Sequence, residues 1–227
     1  MSEYAISLHV KDVEQDDVLR TINTIFLEEG FGTPVDMSAA VTVADENEHK
    51  DDGGYGVFVG GKTTSGWVSC FVDDWQDSGY LAKRLSDILK TNILEIWMAE
   101  SVHWGYTLFF KGAVADRFAD DPWQIAESPS ERDLYRGNEQ ELAFVAGSKA
   151  EGLIERTRTE QSRAEDFAGA AIAELAAAIG LPFEHGLIGY SDFFEEDPAD
   201  YSQDLEAWHT FRHLSFGPPA GREQLAP

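Results

Sequence analysis

The chain has 227 residues, is 43% hydrophobic and carries 42 acidic against 17 basic side chains, a formal net charge of −25. The apolar share excludes general disorder. The charge makes nucleic-acid backbones and anionic membranes repelled partners and basic proteins attracted ones, although solubility or adaptation to salt accounts for the same charge.

Tyr4-Ala5-Ile6-Ser7-Leu8-His9-Val10 alternates, with Tyr4, Ile6, Leu8 and Val10 on one face, which predicts a half-buried strand. A helix begins near Asp12, with Val18, Ile22, Ile25 and Phe26 as its stripe and Gly30 as its stop. Val35–Ala44 is expected as a second, less regular strand, and Asp45–Gly54 as a charged loop. Tyr55–Val59 is a short strand, and Gly60-Gly61 turns the chain into Lys62–Ser65. Trp67–Val72 is β-branched and aromatic, and predicts a buried strand. Leu81, Leu85, Ile88 and Leu89 mark a helix over about Gly79–Thr91. Strands are expected at Ile93–Ala99, Trp104–Lys111 and Ala113–Phe118, so the stretch from Gly66 to Phe118 carries the core.

Beyond it, Ala119–Asn138 reads as a loop containing a boundary. Glu139–Ala146 reads as helical and Glu151–Arg163 as highly charged. Ala164–Ile179 is an alanine-rich helix ended by Gly180-Leu181-Pro182. Phe183–Phe194 is a linker or short strand, and Pro198–Phe216 a helix followed by an extended end. The fold class is therefore α+β: a mixed or antiparallel sheet covered by helices, with a mainly helical C-terminal part. Residues 1–125 form the sheet-containing part, 126–217 pack on it, and 218–227 are a mobile tail. No apolar run approaches the roughly 20 residues of a membrane helix. The start of the chain shows no basic and apolar leader, and Cys70 is the single cysteine. A cytoplasmic protein without disulfides is expected.

Several motifs invite chemistry. Gly56-Val57-Phe58-Val59-Gly60-Gly61-Lys62-Thr63 has the letters of a phosphate-binding loop. That loop needs a helix after the Lys-Thr pair, with its first N–H groups on the phosphates. Here Trp67 opens another strand instead, so a hairpin explains the residues. His209 and His213 are four apart, with Glu206 three before His209, and two imidazoles with a carboxylate can hold zinc. The metalloprotease form needs Glu after the first His, and position 210 is Thr. The acids of Asp45–Asp52 lack the alternate spacing of a calcium loop. Cys70 lies mid-strand with nothing to lower its pKa, which makes a nucleophilic pair with His103 a poor reading. Asp73-Asp74, Asp120-Asp121 and Glu195-Glu196 are acid pairs, but neighbours on a strand point to opposite faces. Trp75, Trp123 and Trp208 stand beside acids in loop-like or amphipathic segments, and aromatic anchors dominate protein interfaces.

Tyr106-Thr107-Leu108-Phe109-Phe110-Lys111-Gly112, then Asp116-Arg117-Phe118 and Pro122, followed by Gly180-Leu181-Pro182 and Gly189-Tyr190, resembles a pattern in uncharacterised small acidic bacterial proteins. The general character is similar to immunity proteins of bacterial toxin systems. The resemblance covers about a third of the chain, and no functional residue is carried over from it.

The leading expectation is a protein that binds a basic partner, such as a toxin, because no convincing catalytic set stands in the sequence. Trp75, Asp73, Asp74, Trp123, Asp120 and Asp121 are its candidate contact residues, and no cofactor is expected. The alternative is a metal-dependent hydrolase using carboxylates with His209, His213 and Glu206. A self-associating structural protein is a third reading.

Overall fold

Two kinds of strand alternation build the sheet, one large and apolar on both faces, the other apolar on one face and small and polar on the opposite face. The computed structural model describes residues 4–36, 55–73, 78–100, 102–123, 125–147, 152–160, 167–186 and 211–217. Its strands are β1 (Tyr4–Lys11), β2 (Val35–Asp36), β3 (Tyr55–Val59), β4 (Trp67–Val72), β5 (Asn92–Ala99), β6 (His103–Phe110), β7 (Ala113–Ala119) and β8 (Arg212–Phe216). They form one sheet in the order β2-β8-β3-β4-β1-β5-β6-β7. Every pairing is antiparallel.

The helices are α1 (Gln15–Glu28), α2 (Ser78–Leu89), α3 (Pro129–Arg132), α4 (Glu139–Ala146), α5 (Leu153–Glu160) and α6 (Phe167–Ile179), with 3-10 turns at Asp133–Tyr135 and Phe183–Gly186. They lie on both sides of the sheet. The first face carries Ile6, Leu8, Val10, Val68, Cys70, Val72 and Ile93, packed under the apolar stripes of α1 and α2. Phe26 of α1 anchors that side, stacked on Phe216 at 4.4 Å between ring centroids. The second face carries Trp67, Leu94, Ile96, Met98, Trp104, Tyr106 and Phe118, under α4, α5 and α6. The alanines of α6 let it lie close, and its last turn is tied down by Trp67, whose indole N–H donates to the Ile179 carbonyl at 3.0 Å.

The described elements of the central stretch match their reading closely. Lys111 and Gly112 both have positive φ, 50° and 77°, the backbone that suits a two-residue hairpin turn. The phosphate-loop letters are a hairpin: β3 runs antiparallel to β4, with Phe58 opposite Phe71. Two expectations change. β1 is not half-buried: the turn Phe183–Gly186 packs on its second face through the Ser69–His185 contact, and Ser7 and His9 are as buried as Leu8. The connection after β7 is not all loop, because Ser128 caps a short helix there, accepting from the Glu131 N–H at 3.2 Å. Of the strand expected over Val35–Ala44, Val35–Asp36 is a strand and the remainder lies outside the described residues, as does the charged loop after it.

Residue 125, where a boundary is expected, lies in the connection between β7 and α3. Residues beyond it complete the same core: Leu142, Leu153 and Ile172 share a cluster with Trp67 and Tyr106. β8 inserts between β2 and β3, with His213 opposite Phe58. No helix among the described residues is long and apolar enough to cross a membrane.

Candidate functional site

The connection leaving β7 holds Trp123, which lies within the described residues. Asp121 accepts a hydrogen bond from the Trp123 backbone N–H at 3.0 Å, a local turn typical of Asp. Trp123 is 70% exposed. The Ser128 cap and the Glu131 carboxylate, which accepts from the Glu127 N–H at 2.9 Å, fix the short helix α3. That helix aims its last residue, Arg132, back over the indole, with the guanidinium carbon 3.0 Å from the ring centroid. Further along, Leu134 is 57% exposed and Phe144 83%. Residues 116–141 contain eight carboxylates and only three basic side chains, Arg117, Arg132 and Arg136. All three are engaged internally: Arg117 lies over Tyr135 at 5.6 Å, Arg132 covers Trp123, and Arg136 pairs with Asp133 at 2.6 Å. The segment therefore presents exposed apolar side chains on an anionic background.

The other candidate contact residues divide. Asp120, the partner of Asp121 in sequence, is turned inward at 5% exposure and accepts from the Trp104 backbone N–H at 3.1 Å. Burial pushes its carboxyl above the ordinary carboxylate value, against the pull of backbone N–H groups and of His103. His103 stands 3.6 Å away, too far for a hydrogen bond. Asp120 thus pins β6 to β7 and presents no free carboxylate to a partner. Asp73 follows β4 and donates its backbone N–H to the Gly56 carbonyl at 3.1 Å. Asp74, Trp75, Glu206, His209 and Trp208 lie outside the described residues. His213 is in a strand, buried, and stacked on Phe58 at 4.2 Å. Among the described residues no three His, Cys, Asp or Glu side chains gather as a metal ion requires. Cys70 is buried in the first-face core, and desolvation drives its thiol pKa far up. That environment suppresses the thiolate.

Two buried polar groupings went unread in the sequence. On the second face, Ser7 Oγ lies 2.9 Å from His9 Nε2, His9 Nδ1 3.0 Å from Ser69 Oγ, and Ser69 Oγ 2.9 Å from His185 Nδ1. This chain of hydroxyls and imidazoles joins β1, β4 and the turn Phe183–Gly186. Burial lowers both imidazole pKa values, His9 well below its ordinary value and His185 to about 4, and each positive ring would repel the other. On the first face, Glu95 of β5 accepts from the Ser78 hydroxyl at 2.7 Å. Burial raises its pKa, while the Ser78 and Thr107 hydroxyls and the charge of Arg117 oppose the rise. Glu95 ties the first turn of α2 to the sheet. Its signal was present: Ile93 and Trp97 flank it on one face, and Leu94, Ile96 and Met98 fill the other.

A shallow groove of about 510 Å³ is lined by Asp16, Leu19, Arg20, Asn23, Pro34, Arg212 and Leu214. Its charges neutralise one another, since Arg212 pairs with Asp16 at 2.9 Å and Asp36 at 2.7 Å, and Arg20 pairs with Asp17. Comparison with protein-family models, with curated proteins and with solved structures finds no match for this chain.

Proposed function

We propose that this chain works by binding a basic protein through the acidic surface that carries Trp123, in the manner of an immunity protein docking a toxin. The observation that carries the reading is an indole left 70% exposed and already holding a guanidinium. A large aromatic is costly to leave in water, and at interfaces such rings are the anchors whose truncation weakens binding most. The carboxylate surplus around it speeds encounter with a positively charged surface and disfavours wrong partners. The surplus over the whole chain, −25, acts in the same direction.

The test uses the full chain as bait in an extract of its source cell, beside the variants Trp123→Ala and Asp121→Asn, at low and at moderate salt. A basic protein is expected to be retained by the wild type. Trp123→Ala should weaken that complex by about 2 kcal/mol, roughly thirtyfold in Kd. Asp121→Asn should act chiefly on the association rate and its salt dependence. An unchanged Kd of that complex in Trp123→Ala, or retention of no basic protein by the wild type, refutes the proposal. If the captured protein is toxic to cells, co-expression of this chain should relieve the toxicity.

A further inference from the structure

The contact between Trp123 and Arg132 deepens this reading and rests on it. Arg132 lies over the indole, its guanidinium carbon 3.0 Å from the ring centroid, and its Nε is buried with no acceptor among the described residues. At that nitrogen the guanidinium meets the ring and no hydrogen-bond acceptor. Such a contact is easily exchanged for another of the same kind, because an exposed cation–π pair is weak. We infer that the indole of Trp123 is a receptor for an arginine side chain of the partner, and that Arg132 occupies it as an internal placeholder which the incoming guanidinium displaces. Planarity favours arginine over lysine, since a guanidinium can stack on a ring face while an ammonium cannot. The background supports a cationic occupant: eight carboxylates lie within residues 116–141, and Glu127 and Glu131 belong to the turn that delivers Arg132. The displaced Arg132 would then find carboxylates within its own segment. Arg117 over Tyr135 repeats the arrangement nearby.

A blocked arginine tetrapeptide serves as the probe, with the lysine tetrapeptide beside it at low ionic strength. Binding is followed on the Trp123 indole N–H signal by NMR, assigned with Trp123→Phe, and by calorimetry. The arginine peptide is expected to shift that signal and to bind Arg132→Ala about two- to fivefold more tightly than wild type. This gain should vanish in the Trp123→Ala background, which separates the ring contact from the mere loss of a positive charge. Arg136→Ala removes a charge from the same segment without touching the ring, and its smaller gain should persist in that background. Arg132→Lys keeps the charge and should fall between wild type and Arg132→Ala. An Arg132→Ala gain that survives in Trp123→Ala, or a lysine peptide that moves the indole signal as far as the arginine peptide, overturns the arginine site but leaves the acidic docking surface standing. Failure of both peptides to bind any variant removes the docking surface as well.

Discussion

Replacing Ser69 by alanine tests how far the second face depends on its buried polar chain. The Ser69 hydroxyl is shared by two imidazoles, His9 at 3.0 Å and His185 at 2.9 Å. All three side chains are buried. The substitution removes one oxygen and strands two ring nitrogens in an apolar setting. A buried group deprived of its partner costs about 1–3 kcal/mol, so the expected loss is about 2–5 kcal/mol. That is a large share of the ~5–15 kcal/mol by which a domain is stable. Ser7→Ala strands only one nitrogen, His9 Nε2, and should cost about half as much. Ser130→Ala, at an exposed hydroxyl, should fall within about 0.5 kcal/mol of wild type. Urea unfolding followed by circular dichroism measures all three. Equal stabilities for Ser69→Ala and Ser130→Ala would refute the claim that the chain of hydroxyls and imidazoles holds the turn Phe183–Gly186 to the sheet.

Two further outcomes follow from the same packing. The unfolded chain protonates its histidines near ~6.5, whereas His185 in the fold does so at about 4 and His9 well below its ordinary value. Between those pH values the unfolded state binds more protons, so this contribution is complete above about pH 6.5 and is lost as pH falls toward about 4. Glu95, Asp116 and Asp120, raised by burial, act in the opposite sense, favouring the fold at low pH and losing that contribution as pH rises. Comparing wild type with His185→Gln at each pH isolates the imidazole: the difference in unfolding free energy should change by about 3 kcal/mol from about pH 7 to about pH 4, and a difference that does not vary with pH would refute the assignment. Gly105→Ala places a methyl group 2.4 Å from the Phe118 carbonyl and 2.3 Å from the Trp97 ring. It should lower stability by about 1–3 kcal/mol and alter the near-ultraviolet dichroism of Trp97, and an unfolding midpoint equal to that of wild type would exclude this clash.

The elements from Trp67 to Ala119 were legible because each is patterned at one period. Sheet order was less legible, since nothing local states that β8, from far along the chain, inserts between β2 and β3. A similar non-local fact explains why β1 was misread. Its alternation of large and small residues looks like one wet face, but residues far along the chain cover that face, and Ser7 and His9 join a polar chain through Ser69 of β4 to His185. Of the candidate contact residues, Trp123 is exposed, as its acidic, loop-like surroundings in sequence suggest. Asp120 resembled Asp121 in sequence and differs from it only because the sheet continues one residue further, far enough to bury one carboxylate against Trp104.

The distribution of basic side chains ties these observations together. Lys11 lies over Trp67, Arg84 near Tyr80, Lys111 over Phe110, Arg117 over Tyr135 and Arg132 over Trp123. Lys62, Lys90, Arg156 and Arg212 are in ion pairs. A chain with 42 acids and 17 bases cannot neutralise its own surface, and here many of its few cations are held against rings or carboxylates. The remaining negative field weighs against compactness by self-repulsion, a burden that a positively charged partner relieves on contact. Charge alone would attract any cationic surface equally. Discrimination has to come from a feature with shape, and an exposed indole able to stack against a planar guanidinium has one. In the proposed complex, the field would govern how fast a partner arrives, and the Trp123 ring which side chain stays.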